Sequence, residues 1–245
     1  MNWNQLSEEL KNKFTMGGDI PKYDWMAPGN GLGGSYYDKS VVEESVQAAN
    51  RRDNTMMGSY HQTSIELFDC LDKYPIKDKE VAIVGSVTPW HEGVCLAWGG
   101  KPITIEYNKV ETNDERLSTM TVDEWKNNPR KFDVVFSISS YEHDGLGRYG
   151  DPINPDGDLE AMANCRDNML EDGGLLYLAV PLGGDLVCWN AHRRYGSKRW
   201  PLLIDGFEVV YSMTCPDGQS RLDKCLAMDL EPKDYVQPSV VLRKK

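Results

Sequence analysis

The sequence predicts an α/β protein built on one mostly parallel sheet with helices on both faces. Three observations predict it. Apolar runs rich in β-branched residues, VAIVG from Val81, PITIEY from Pro102, FDVVFSISS from Phe132 and LLYLAVP from Leu175, read as strands buried on both faces. Segments with apolar residues at helical spacing stand between or ahead of them, the alternation that a parallel sheet requires. Polar, glycine-containing turns follow several of the runs, where such a sheet opens its binding crevice.

The elements follow in order. Residues 1–58 have few long apolar stretches and contain APGNGLGGSYYD, so they read as a helical and looped extension, with 59–245 as the main domain. SVVEESVQAANRR and QTSIELFDCLDKY are expected helices ahead of the sheet. VAIVG is the first strand, and WHEGVCLAW, entered through Pro89 and stopped at Gly99-Gly100, is its helix. PITIEY ends the second strand near Glu106, and LSTMTVDEW holds a short third with Asp123 beyond it. FDVVFSISS is the fourth. A polar loop, YEHDGLGRYGDPINPDGD, leads to the helix LEAMANCRDNML, stopped at Asp172-Gly173-Gly174. LLYLAVP, FEVVYSM and SVVLRK complete seven strands, the last two expected as an antiparallel C-terminal edge without a helix between them. The 245 residues, 40% hydrophobic, suffice for one sizeable core.

Composition excludes some partners. No run of about 18 apolar residues and no apolar leader is visible, so neither a membrane span nor a signal peptide is expected, and the chain reads as soluble and cytoplasmic. A net charge of −11 makes nucleic acid an unexpected substrate. The six cysteines include no C-x-x-C pair and several sit in apolar runs, so reduced structural thiols are favoured over zinc ligands.

The first strand-to-helix turn is V-G-S-V-T-P. Gly85 permits close backbone approach to a ligand, and Ser86 can bond that ligand or cap the helix. The same turn would equally serve as a plain tight turn. Glu106 ends the next strand about 20 residues later, the spacing at which a carboxylate meets a ribose diol. A nicotinamide cofactor would bring G-x-G-x-x-G; S-adenosylmethionine, with no pyrophosphate to cradle, needs fewer glycines. Tyr107, Asn108, Asp123 and Glu124 are candidates for the adenosine end, Ser137 for the neighbouring strand end, and Tyr60, His61 and Gln62 for the methionine end.

The loop after the fourth strand packs Glu142, His143, Asp144, Arg148, Tyr149, Asp151, Asp156 and Asp158 into 17 residues, 142–158. Long polar loops at strand carboxyl ends are where such folds place chemistry. A second cluster, W-N-A-H-R-R-Y-G from Trp189, follows the fifth strand and supplies Asn190, His192 and Arg193. Methyl transfer to oxygen needs a positioned hydroxyl, a base and exclusion of water. His143 is the favoured base, with Asp144 orienting it, and His192 or Asp144 itself is the alternative. Carboxylates with Asn154 could instead hold a divalent metal, a disfavoured reading because their spacing matches no calcium loop. Loop capping accounts for at least two of Asp151, Asp156 and Asp158.

These motifs, from Ser140-Tyr-Glu-His-Asp to Asp158, then GGLLYLAVPLGGD and WNAHRRYG, resemble a family of nematodes and bacteria catalogued only as a domain of unknown function. The resemblance covers about residues 56–205. That family is similar to class I methyltransferases of the Rossmann-like type and is associated with methylation of surface glycans. The resemblance implies a saccharide or glycoconjugate acceptor and places Glu142, His143, Asp144, Arg148, Tyr149, Asp151, Asn190, His192 and Arg193 in the site. Trp189, Trp200 or Tyr149 would be available to stack on a sugar face, and the two tryptophans read equally as core residues. A non-catalytic glycan- or nucleotide-binding module and a metal-dependent hydrolase are the other readings.

Overall fold

The computed structural model of the protein describes residues 2–27, 35–53 and 61–245. In chain order it contains α1 (Glu8–Phe14), β1 (Lys22–Trp25), β2 (Ser35–Tyr37), α2 (Lys39–Asn50), α3 (His61–Lys73), β3 (Glu80–Val84), α4 (Trp90–Ala97), β4 (Lys101–Glu106), β5 (Val110–Thr112), β6 (Ser118–Thr121), α5 (Val122–Asn127) and β7 (Phe132–Ile138). There follow α6 (Gly157–Asn164), β8 (Leu170–Ala179), β9 (Leu186–Asn190), β10 (His192–Arg194), α7 (Trp200–Leu203), β11 (Phe207–Ser212), α8 (Arg221–Leu226) and β12 (Ser239–Lys244).

Seven strands form the main sheet in the order β11-β12-β8-β7-β3-β4-β6. β6, β4, β3, β7 and β8 pair in parallel, while β12 is antiparallel to both β8 and β11. This is the expected Rossmann-like α/β architecture, and the strand order matches that of class I methyltransferases. The antiparallel C-terminal pair is also present, with two differences from the sequence reading. The last strand inserts inside β11, and α8 occupies the connection for which no helix was expected.

Burial explains the order. β7 exposes Asp133 and buries its other six residues, so it requires cover on both faces and occupies the middle of the sheet. One face carries Ala48 and Ala49 of α2, Leu67 and Phe68 of α3 and Trp90 and Val94 of α4. The other carries Trp125, Met162, Trp200, Leu203 and Leu222 from the segments that follow. β8 begins five residues before the expected start. Leu170 pairs with Phe132, and the register then shifts so that Leu175 pairs with Val134. Glu171 to Gly174 therefore form a bulge within the strand, where the sequence reading placed the end of a helix.

Two smaller sheets lie outside the main one. β1 pairs in parallel with β9, which forms an antiparallel ladder with β10, and β2 pairs in parallel with β5. Trp3, Phe14 and Ile20 share an apolar cluster with Leu146, Val187 and Trp189, so the N-terminal segment packs on the long loop and the β9–β10 hairpin. All six cysteines are free and buried. No helix among the described residues is long and apolar enough to cross a membrane.

Candidate functional site

From β3 the chain moves outward through β4 to β6, then returns to the other side of β3 through β7 and β8. The order thus reverses between β3 and β7, and the crevice above the strand carboxyl ends there is where ligands bind in such sheets. Register brings the sequence-predicted residues to this edge: Val84 pairs with Ile105 and Ser137, and Glu106 with Thr121.

Gly85 has φ +79°, and a Cβ there would overlap the Ser140 side chain, so this turn requires glycine. Ser86 turns inward: its Oγ donates to Glu92 Oε2 at 2.9 Å, and Thr104 Oγ1 donates to Glu92 Oε1 at 2.7 Å. Burial raises the Glu92 carboxyl to about 7. The Tyr37 hydroxyl donates to the Ser86 carbonyl at 2.7 Å, tying β2 beneath the turn.

Glu106 lies half-buried at the end of β4. Burial raises its carboxyl group even though the backbone amides of Tyr107, Ser86 and Gly85 favour the ionised form. It is therefore a carboxylate with less polar company than it needs. Tyr107 beside it is 64% exposed, and its hydroxyl is pushed up to about 12 by burial and by the charges of Asp144, Asp151, Glu106 and Asp123. The end of β4 thus faces the long loop after β7.

The other cofactor candidates are spread around this edge. Ser137 is fully buried and its Oγ has no partner among the described residues. Asp123 and Glu124 open α5, where Glu124 completes a capping box with Thr121. His61 is exposed at the start of α3, and Gln62 bonds to Glu66 within that helix. Tyr60 and the glycines of APGNGLGG lie outside the described residues.

The long loop gathers the titratable side chains singled out by the sequence. Ser139, at φ +57°, donates through Oγ to Glu142 Oε1 at 2.8 Å, while Glu142 Oε2 is buried without a partner among the described residues. Burial raises the Glu142 carboxyl to about 8. His143 Nδ1 lies 2.6 Å from the Ala191 carbonyl oxygen, which can only accept, so Nδ1 carries the proton and Nε2 is the acceptor. Nε2 is 3.7 Å from Glu142 Oε1. Burial lowers the imidazole to about 4 and keeps it neutral near pH 7. The same cause raises Asp144 to about 7, with Asp151 the next contributor.

Several predicted site residues instead hold the loop in place. Asp151 accepts from the amides of Gly145, Gly147 and Tyr149, as loop capping anticipates. Asp158 is buried between Arg199, at 2.5 Å, and Arg193, at 3.4 Å, and accepts from the Tyr195 hydroxyl. Arg193, grouped by sequence with the acceptor contacts, is buried, and its guanidinium donates to the carbonyls of Asp144, Asn154 and Pro155. Trp189 is buried against Trp3 and Phe14, and Trp200 belongs to the main core, so neither offers a face to a sugar.

The hairpin closes the site. The His192 and His143 ring centroids are 6.4 Å apart, and burial lowers His192 to about 3. Asn190 Oδ1 and Arg148 Nε are buried without partners among the described residues. Trp25 of β1, 40% exposed, and Tyr235 both meet the His192 ring edge-on, at 5.7 and 5.2 Å. Sequence reasoning missed both aromatics, which stand far from His192 along the chain and belong to no local motif. Among the described residues, no group of three or more His, Cys, Asp or Glu side chains could hold a metal ion.

A sequence-family profile described as "Caenorhabditis protein of unknown function, DUF268" matches residues 78–245, and the chain belongs to that family. The match begins later than the expected residue 56 and continues to the last strand. No curated protein shows significant sequence similarity to the chain. Solved structures similar to it include the Burkholderia thailandensis 1,6-didemethyltoxoflavin-N1-methyltransferase, with a TM-score of 0.47 at 15% identity over 91% of this chain and 94% of that one. An O-methyltransferase family 2 protein from Planctomyces limnophilus gives 0.46 at 10% identity over 84% and 66%.

Proposed function

We propose that this member of the DUF268 family is an S-adenosylmethionine-dependent O-methyltransferase acting on a saccharide hydroxyl. The residues at the sheet edge fit the cofactor: Glu106 is a desolvated carboxylate with acceptor capacity left for a ribose diol, Tyr107 offers an exposed aromatic face beside it, and Gly85 leaves the turn open. When bound, the cofactor supplies an electrophilic methyl group.

The observation that carries the reading is His143. Its Nδ1 is fixed on the Ala191 carbonyl, its Nε2 lone pair is free to accept a proton, and it sits in the loop that faces Glu106 and Tyr107. A neutral imidazole takes the hydroxyl proton as the new bond forms. Asp144, titrating near neutrality, is the second acceptor in reach of the loop. Glu142, Arg148 and Asn190 each keep a buried polar atom with no partner among the described residues, hydrogen-bonding capacity that suits an acceptor rich in hydroxyls once the loop and hairpin admit it.

One observation favours a second reading, a non-catalytic glycan- or nucleotide-binding module: the Ser86 hydroxyl is spent on Glu92 and leaves the turn one ligand contact poorer. Incubation of the full chain with methyl-labelled cofactor and a mixed oligosaccharide pool separates the two. The methyltransferase reading expects label in the saccharide, and His143→Ala should lower turnover by about 10²- to 10⁴-fold with S-adenosylhomocysteine affinity retained. Saccharide binding without any label transfer would establish the second reading.

A further inference from the structure

Arg148 is built unlike the other arginines around the hairpin. Arg193 and Arg199 share the buried Asp158 carboxylate, and Arg194 donates to the carbonyls of Gly184, Leu230, Glu231 and Asp234. Arg148 has no carboxylate within ion-pair distance among the described residues. Its Nη1 reaches the Ala191 carbonyl at 3.3 Å, its guanidinium carbon lies 5.1 Å from the Tyr149 ring centroid, and its Nε is buried and unbonded. A partly buried guanidinium without a counter-charge is costly, and Nε–H together with an Nη–H forms one of the edges by which the fork takes a planar oxyanion.

The position is as specific as the open valence. Arg148 and His143 share the Ala191 carbonyl oxygen, and the unpartnered Asn190 Oδ1 belongs to the preceding residue. A group received by Arg148 therefore lies beside the base. The Arg148 charge also helps to hold both His143 and His192 neutral, behind the larger effect of burial. In a chain of net charge −11, this gathering of arginine charge about two neutral imidazoles is a local exception.

We infer that the acceptor saccharide carries an oxyanion, a carboxylate or a phosphate ester, and that Arg148 receives it next to His143. The inference rests on the saccharide methyltransferase reading and names its substrate class. It has a consequence for the base: an anion on Arg148 offsets the charge that depresses His143, so acceptor binding raises the basicity of the imidazole that takes its proton.

The test is ¹⁵N NMR of the arginine Nε–H resonances of the full chain, with the Arg148 signal assigned by its loss in Arg148→Met. The titrants are D-glucuronate, glucose 6-phosphate, inorganic phosphate and methyl glucoside. The Arg148 resonance should move with glucuronate or glucose 6-phosphate and stay in place with methyl glucoside, and the tighter of the two binders identifies the source of the charge. Arg148→Met should weaken that binding about ten- to a hundredfold, the loss expected of a charge-assisted pair, with S-adenosylhomocysteine affinity unchanged. A resonance unmoved by either anionic sugar, equal affinity for inorganic phosphate alone, or unaltered sugar binding in the variant would each overturn the inference. Failure of the wild type to bind S-adenosylhomocysteine, with Arg148-dependent sugar binding intact, would instead overturn the methyltransferase reading.

Discussion

On the β3–β4 side of the sheet edge, Tyr37, Ser86, Glu92 and Thr104 satisfy one another through a closed set of hydrogen bonds. On the loop-and-hairpin side, Glu142 Oε2, Arg148 Nε and Asn190 Oδ1 are buried and have no partner among the described residues. Closed networks rigidify a backbone, whereas an open buried polar atom costs free energy unless a ligand or water meets it. The difference separates a self-satisfied half from one that keeps hydrogen-bonding capacity, and under the proposed function the second half is the one that selects the acceptor. It also shows that the open half needs its own support, which Arg193 and Arg199 supply from beneath.

The largest expected effect falls on that support. Arg193→Met leaves the Asp144 carbonyl without its donor, takes one of two donors from the Asn154 and Pro155 carbonyls and removes one of the two arginines on Asp158, so unfolding free energy should drop by about 3 kcal/mol. Chemical denaturation checks this, and a drop below about 1 kcal/mol would mean that the loop stands without its buried clamp.

A smaller effect follows from Glu142. Its folded carboxyl group, raised to about 8, keeps a proton that the unfolded chain releases near 4.5, so its contribution to stability is complete below pH 4.5 and declines as pH rises towards 8. His143, lowered to about 4, acts in the opposite sense between pH 4 and 6.5, which makes the wild type alone a poor reporter. The stability of the wild type relative to Glu142→Gln should fall between pH 5 and 8 by on the order of 2 kcal/mol. A difference that does not vary with pH would show Glu142 to be an ordinary ionised group.

The smallest effect tests the closed half. Ser86→Ala leaves Glu92 short of one donor and should cost about 1 kcal/mol of stability while leaving affinity for S-adenosylhomocysteine as it was. A large loss of cofactor affinity in this variant would place Ser86 among the ligand contacts and blur the contrast between the halves.

The scaffold was legible because its signals are local. Continuous apolar runs such as VAIVG and FDVVFSISS declare buried strands, and the 21-residue step from Gly85 to Glu106 is fixed by one strand-helix-strand unit. The long loop was legible as a concentration of polar residues, and His143 within it. The direction of each polar side chain was not. Arg193 reads as a ligand contact because it lies in a polar motif, yet the carbonyls it grips belong to residues 38 to 49 positions away. Trp25 reaches His192 through a parallel pairing of β1 with β9, for which neither segment carries a pattern. Glu92 hides in a helix because a buried acid differs from an exposed one only in tertiary partners.

Calorimetric titration of S-adenosylhomocysteine into the wild type and Glu106→Ala tests the central claim most directly. The account predicts saturable binding to the wild type and affinity about ten- to a hundredfold weaker in the variant, since the carboxylate's bonds to the ribose are lost. A folded wild type that gives no binding heat, or a variant that binds as tightly as the wild type, would contradict it.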